Sequence, residues 1–510
     1  MRRKKSAPSQ SGKRSSMARW IRKYQLDEEN DLNSPVPMQI VSNEEFIPIN
    51  QTERQKQVQH KLVEMADHNA KLLGLTRRRF LQTTGGMATA FIAMNSVFGK
   101  VFDVDASEML DPSAYSEKWP KNEFIFDIQT HHVAPARAQM SMNFLLGMRR
   151  VAERWNPALR GHKHQPEDLL LANYVKEIFF DSDTTMAVIS GFPDPVENTN
   201  ILPPAKMIET RAQINGLAHS RRIVSHGLFS PDLGAPNLES MHKQAEEMKV
   251  EAWKGYTGWP SDRKGVGWWM DDEKVAYPTF EYARKIGIKT ICIHKGLPLV
   301  GFNVEHCDPK DVPKAAADFP DLNFIIYHSA FKGFDNVIES MTKTMKGENG
   351  IKYGMTETGY VPWVSDLCAA RKKNPKMKNV YMEIGATFGM LAITDPVLCA
   401  HVLGMMIDAF GDDHIMWGTD AIWSGSPQWQ IEAMRRIQMP EELTKKFGWK
   451  PLTPQVKAKI FGLNAARIYG VDVKAKRNAL PSDALEKLKA EYRQQGPMPS
   501  NTQYGWVRGK

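Results

Sequence analysis

From about residue 120 onward the chain is paced by short apolar runs, each long enough for one strand, that repeatedly stop on a side chain able to bind metal or move a proton. Five endings carry the pattern: Phe124 to Gln129 followed by Thr130-His131, Lys289 to His294, Asn323 to His328, Asn379 to Glu383, and His414 to Asp420. This is a strong constraint, because a parallel barrel gathers the carboxyl ends of its strands into one mouth, where five reactive side chains would meet. Eight strands can be read in all: Phe124 to Gln129, Thr185 to Ser190, Arg222 to His226, Val250 to Lys254, Thr290 to His294, Phe324 to His328, Val380 to Glu383 and Ile415 to Asp420. Eight alternating βα units predict an α/β chain folded as a (β/α)8 TIM barrel.

Helical stretches fall between the runs. Asn237 to Met248 sets apolar residues against a charged face; Asp395 to Phe410 and Thr453 to Tyr469 each open on a capping residue followed by proline, and the second ends at Gly470. A helix is also expected over Met140 to Trp155, and one over Ser482 to Gln494 in the tail. Long connections at His131 to Asp183, Gly255 to Glu273 and Lys332 to Lys378, the last holding Glu357, Tyr360 and Trp363, are the expected pocket walls.

The net charge of +9 is concentrated at the amino-terminal end: residues 1–80 hold 16 Lys and Arg against 9 Asp and Glu, leaving 51 against 49 in the remainder. A near-neutral body without a basic, aromatic-studded stripe argues against nucleic-acid binding. Cys292, Cys307, Cys368 and Cys399 form no CxxC pair, so buried free thiols are expected rather than a zinc ribbon or redox dithiol.

Thr76-Arg77-Arg78-Arg79-Phe80-Leu81-Gln82, followed by the apolar and small residues Thr83 to Gly99, resembles a twin-arginine export signal, with Val104-Asp105-Ala106 as a processing site. The expected organisation is residues 1–64 as a disordered or upstream extension, 65–106 as the signal region, 107–472 as the barrel and 473–510 as a short tail. This implies the export machinery as a partner, a periplasmic location and no stable membrane span in the mature form. Without use of the signal the location is cytoplasmic. The oligomer is open, with a homodimer as one alternative.

Asp127-Ile-Gln-Thr-His131 resembles the first-strand DxHxH motif of the amidohydrolase superfamily, in its amidohydrolase-related branch with aminocarboxymuconate-semialdehyde and resorcylate decarboxylases. His294, the YHSAF run around His328, Gly418-Thr-Asp420 and the closing run Ile460 to Gly470 match in the same order, covering about residues 120–472. The resemblance implies one divalent ion, zinc first with manganese or iron as alternatives, held by His131, His294 and Asp420, and His328 as general acid/base. Gln129 departs from the pattern: it stands where the family most often has histidine and offers only a neutral amide oxygen as a weak ligand. Two imidazoles and a carboxylate still suffice for a catalytic ion with an open position.

Other residues keep two readings. Asp127 caps a strand or orients a ligand; Glu383 accepts a hydrogen bond from substrate or from a ligand histidine, or sits in an ion pair; Lys254 is carbamylated between two ions or anchors a substrate carboxylate. His226 is equally open, and His132 has the wrong strand parity for the pocket. Trp253, Tyr256, Trp259, Trp268, Trp269, Trp363, Trp423 and Trp429 follow strand ends, where they stack on a ring or fill the barrel mouth; Trp259 and Trp423 are the expected substrate contacts. The leading function is hydrolysis of a small, aromatic or cyclic carbonyl substrate by metal-activated water, with Asp420 or His328 taking the proton. The alternatives are non-oxidative decarboxylation with the same parts and a non-catalytic exported binding protein on a degenerate barrel.

Overall fold

The structure, a computed structural model, describes residues 34–40, 51–138, 166–193, 200–259, 267–298, 302–333, 358–498 and 500. The expected helix at Met140 to Trp155 and the candidate Glu357 lie outside these residues. Eight parallel strands stand side by side in chain order: β1 (Phe126–Thr130), β2 (Met186–Ile189), β3 (Ile223–Leu228), β4 (Ala252–Tyr256), β5 (Thr290–His294), β6 (Asn323–Tyr327), β7 (Val380–Glu383) and β8 (Ile415–Met416). The first and last strands join through a parallel bridge between Thr130 and Ala421, with Ile128 N donating to Trp417 O at 3.1 Å and His131 N to Ala421 O at 2.7 Å. The (β/α)8 barrel expected from the sequence is therefore present.

Its interior is packed rather than open. Phe126, Ile128, Val188, Cys292, Ile325 and Met416 form one buried cluster, sealed at the amino-terminal end of the strands by Ala465 and Tyr469 from the closing helical segment. Helices cover the outside, including Pro204–Ala218, Ala235–Glu246, Tyr277–Ile286, Val364–Lys373 and Pro396–Phe410. The last starts where Asp395 caps it, the carboxylate accepting from Leu398 N at 3.0 Å. Thr453 caps its helix in the same way, and Gly470 ends the closing segment at φ +62°.

Two departures from the expected strands matter for the site. The pairing of β1 with β2 shifts register between Asp127 and Thr130. That irregularity lets Ile128 fill the barrel interior while its neighbour Gln129 also reaches inward, which strict alternation forbids. β8 stops at Met416 instead of running to Asp420, because Trp417 N donates to Ile460 O at 3.0 Å and leaves the ladder.

The described residues 53–98 are largely helical and pack on the barrel's helical layer. α1 (Glu53–Leu72), α2 (Arg77–Leu81) and α3 (Thr84–Phe98) form this cover. α3, the apolar stretch of the export-signal reading, buries Phe91, Ala93 and Met94 in the same core as Ile393, Trp429 and Ile437. Beyond it Phe102 bridges Ile437 in antiparallel fashion, and buried Glu108 pairs with buried Arg436 at 2.8 Å. The tail helix Ala484–Gln494 packs against the barrel itself: Leu485 joins the cluster of Ile189 and Ile223, and Glu486 pairs with Arg222 at 2.9 Å. All four cysteines are free and buried, as expected.

Candidate active site

The carboxyl ends of β1, β5, β6, β7 and β8 bring Gln129, His131, His294, His328, Glu383 and Asp420 together, all almost fully buried. His131 Nε2 is 3.1 Å from Asp420 Oδ1, and Gln129 Nε2 donates to the same oxygen at 3.0 Å. His294 Nδ1 meets His328 Nε2 at 3.0 Å, and Gln129 Nε2 lies 3.4 Å from that His328 nitrogen. Gln129 thus joins the His131–Asp420 pair to the His294–His328 pair.

Each imidazole is fixed from behind by a backbone carbonyl. His131 Nδ1 donates to Ser190 O at 2.8 Å, His294 Nε2 to Leu297 O at 2.9 Å and His328 Nδ1 to Gly385 O at 2.9 Å. A carbonyl only accepts, so the nitrogen facing it carries the proton. Burial lowers the pKa of His294, with His328 and Lys254 adding to the shift, and burial also lowers that of His328 against the opposing pull of Asp420 and Glu383. Both rings therefore favour the neutral form, whose remaining nitrogen is a lone pair. His294 Nδ1 and His328 Nε2 turn those lone pairs toward each other, and His131 Nε2 faces a carboxylate oxygen.

The facing lone pairs of His294 and His328 need a cation or a shared proton between them. Among the described residues no group of three or more His, Cys, Asp or Glu side chains is placed to hold a metal ion. In donor type the set would still suit a divalent ion, with carbonyl-anchored imidazoles and one carboxylate, His131 Nε2 and Asp420 Oδ1 being already within 3.1 Å of each other. The residues that would hold it are His131, His294 and Asp420, with Gln129 beside them if its amide turns Oε1 inward.

Glu383 organises the β6–β7 side. Its Oε2 accepts from His328 N at 3.1 Å and its Oε1 from Gly385 N at 2.6 Å, while its own carbonyl accepts from Ser329 Oγ at 2.7 Å. These contacts hold three successive non-glycine residues, His328, Ser329 and Ala330, at φ +63°, +51° and +56°, and Asp420 across the mouth lies at +60°. Left-handed backbone at ordinary residues is costly and clusters at functional sites. Burial raises Glu383 to about 8 despite nearby His328, and raises Asp127 to about 7 despite its bonds to Thr419. Gly385 and Gly418 make room: a Cβ on Gly418 would strike Glu383 Oε1, and one on Gly385 would strike Gln129 Oε1 and Glu383 Oε1.

The remaining candidates separate clearly. Asp127 accepts from Gln129 N and Thr419 N, both at 3.1 Å, and from Thr419 Oγ1, so it ties β1 to the segment after β8 and orients its neighbours. His132 points away from the site to Thr210 Oγ1 at 2.7 Å, as its parity implied. His226 is a structural link, reaching Ser190 Oγ at 3.1 Å and Tyr469 OH at 2.9 Å. Lys254 is wholly buried with its ammonium 3.4 Å from the centre of the Tyr327 ring and 4.9 Å from that of Tyr256.

Of the aromatic residues expected at the mouth, Tyr256 stacks on His294 with ring centres 4.8 Å apart, and Trp423 lies 6.1 Å from His131. Trp259 belongs to the same wall through Phe192 and Phe302, two residues that the sequence reading missed because neither ends a strand. Trp253, Trp268 and Trp429 are buried in the core outside the barrel strands instead.

Residues 361–471 match the family model described as Amidohydrolase, which takes in Glu383, Asp420 and the closing helical segment. No curated protein matches the sequence. Solved structures that resemble it include an uncharacterised TIM-barrel protein from Bordetella bronchiseptica (15% identity, TM-score 0.43, covering 68% of this chain and 98% of that one). A 5-carboxyvanillate decarboxylase from Sphingomonas paucimobilis has 14% identity and a TM-score of 0.42 over 69% of this chain and 100% of its own. A 4-oxalomesaconate hydratase from Rhodopseudomonas palustris has 16% identity and a TM-score of 0.38 over 73% of this chain and 100% of its own.

Proposed function

We propose that this chain is a metal-dependent enzyme of the amidohydrolase superfamily, acting on a small aromatic or cyclic substrate as a hydrolase. The observation that carries the reading is the set of inward-facing nitrogens: three imidazoles, each anchored through one nitrogen by a main-chain carbonyl, with His131 beside Asp420 and His294 beside His328. A divalent ion bound there, zinc by preference or manganese or iron, supplies Lewis acidity and lowers the pKa of water. Asp420 and His328 are the groups placed to take the proton of an attacking water, and His328 to return it to a leaving group. Nδ1 of His328 stays engaged with Gly385 O, so only Nε2 is available for transfer. Tyr256, Phe302 and Trp423 flank the histidines and favour a flat apolar substrate.

Decarboxylation is the second reading, favoured by Lys254 buried behind Tyr256, a cation that would attract a substrate carboxylate into the mouth. Screening esters, lactones and hydroxybenzoates while following acid release and carbon dioxide separates the two. Metal content is the prior test: purified protein should hold close to one equivalent of a divalent ion, and His131→Ala should lose it. Less than about a tenth of an equivalent, with no gain on adding zinc or manganese, would return the chain to the binding-protein reading.

The export reading of Arg77 and Arg78, with a periplasmic destination, is carried as a further proposal. It would require α3 to be available to the export machinery, whereas here that helix fills a core shared with the barrel's helices. A homodimer is likewise proposed and is read by sedimentation.

A further inference from the structure

The twin-arginine run ends up on a small exposed knuckle. α1 closes at Leu72 and α2 opens at Arg77, and between them Gly74 turns at φ +64°. The turn is firmly built: Leu75 N donates to Ala70 O at 2.8 Å, and Thr76 Oγ1 accepts from Arg79 N at 3.2 Å. At its tip Leu72, Leu73 and Leu75 are 60%, 43% and 36% exposed. Scattered exposed leucines need no explanation, but three within four residues make an apolar point. Lys71, Arg78 and Arg79 are exposed beside them, while Arg77 is turned inward to Asp67 at 3.0 Å. From His68 to Phe102 the sequence has no acidic residue.

We propose that this knuckle docks the folded protein on an anionic lipid surface, the leucines entering the boundary of the acyl chains and Lys71 and Arg79 meeting the headgroups. The apolar point is three leucines on one short turn between two helices, an area that a fluid interface takes up without a matching surface. The collar of like charge is the complement of an acidic membrane. Because α1 packs on the buried α3, the knuckle is held in place by the fold and does not depend on freeing a leader.

The test is co-sedimentation of the full chain with vesicles of mixed phosphatidylglycerol and phosphatidylcholine, and with phosphatidylcholine alone. Binding is expected to the anionic vesicles, weakened by about 0.5 M salt. K71Q/R79Q should reduce the partition coefficient on the order of 30-fold, and L72S/L73S/L75S should reduce binding with an unchanged melting temperature. Equal binding to both vesicle types, or wild-type binding by either variant, overturns the proposal. So does failure to bind anionic vesicles at low salt, including the case in which the knuckle instead cross-links to a component of the export machinery.

Discussion

Glu383 illustrates what one buried carboxyl can do for a site. It touches His328 only through the backbone N–H, yet by also accepting from Gly385 N it places the carbonyl that fixes the imidazole. Glu383→Ala would leave two buried N–H groups without an acceptor, at about 1–3 kcal/mol each, and should lower the urea midpoint while loosening His328. Because burial raises this carboxyl to about 8, the folded chain holds a proton that the unfolded chain releases in the ordinary carboxylate range. Its contribution to stability is therefore present at low pH and declines as pH rises toward 8. Urea midpoints measured from pH 5 to pH 8 should show a smaller decline in Glu383→Gln than in the parent, where each tenfold gain in proton affinity on folding is equivalent to about 1.4 kcal/mol. Gly418→Ala tests the space around the same group; it should cost about 1–3 kcal/mol and displace Gln129 and Glu383 together. The ring of histidines and Asp420 was legible because each follows a strand. Glu383's grip on the β6–β7 connection was not, since nothing in a linear pattern announces which backbone amides a carboxylate will meet.

At the scale of elements, the strand order could be read almost completely, and β5 and β7 have the expected limits. The misses were local and physical. Register slips in β1 because two successive side chains are needed inside, and β8 is cut short by a hydrogen bond from Trp417 to the closing segment. The helix Gln428–Arg436 carries a cluster that composition also hides: fully buried Arg435 meets Asp183 at 2.7 Å, Glu432 at 3.0 Å and Glu123 at 3.0 Å. Burial alone would raise Asp183, but Arg435 and Lys121 outweigh it and hold the group well below the usual range. That stability is complete above the ordinary aspartate pKa and disappears as pH falls below it. Arg435→Met should cost about 3–5 kcal/mol near neutral pH, a deficit that narrows in acid-unfolding curves as the paired carboxylates protonate.

For the whole molecule, the amino-terminal cover belongs to the same hydrophobic core as the outer barrel helices. Phe91→Ala in α3 should lower stability by about 3–5 kcal/mol if that contact persists in the mature chain; a change near zero in the melting temperature would mean that the cover has been removed. Metal stripping should act at the barrel mouth, lowering stability by about 2.7 kcal/mol from a state with free ion at a hundredfold excess over its dissociation constant.

The seam between β1 and the segment following β8 has a consequence for biosynthesis. Gln129 and Asp420, which meet across it, are 291 positions apart in the chain. A ribosome that has delivered seven strands has made every histidine of the site and none of its carboxylate partner. The centre therefore assembles only on a finished barrel, and abortive fragments emerge without the chemistry that an incomplete, water-exposed version would otherwise misdirect.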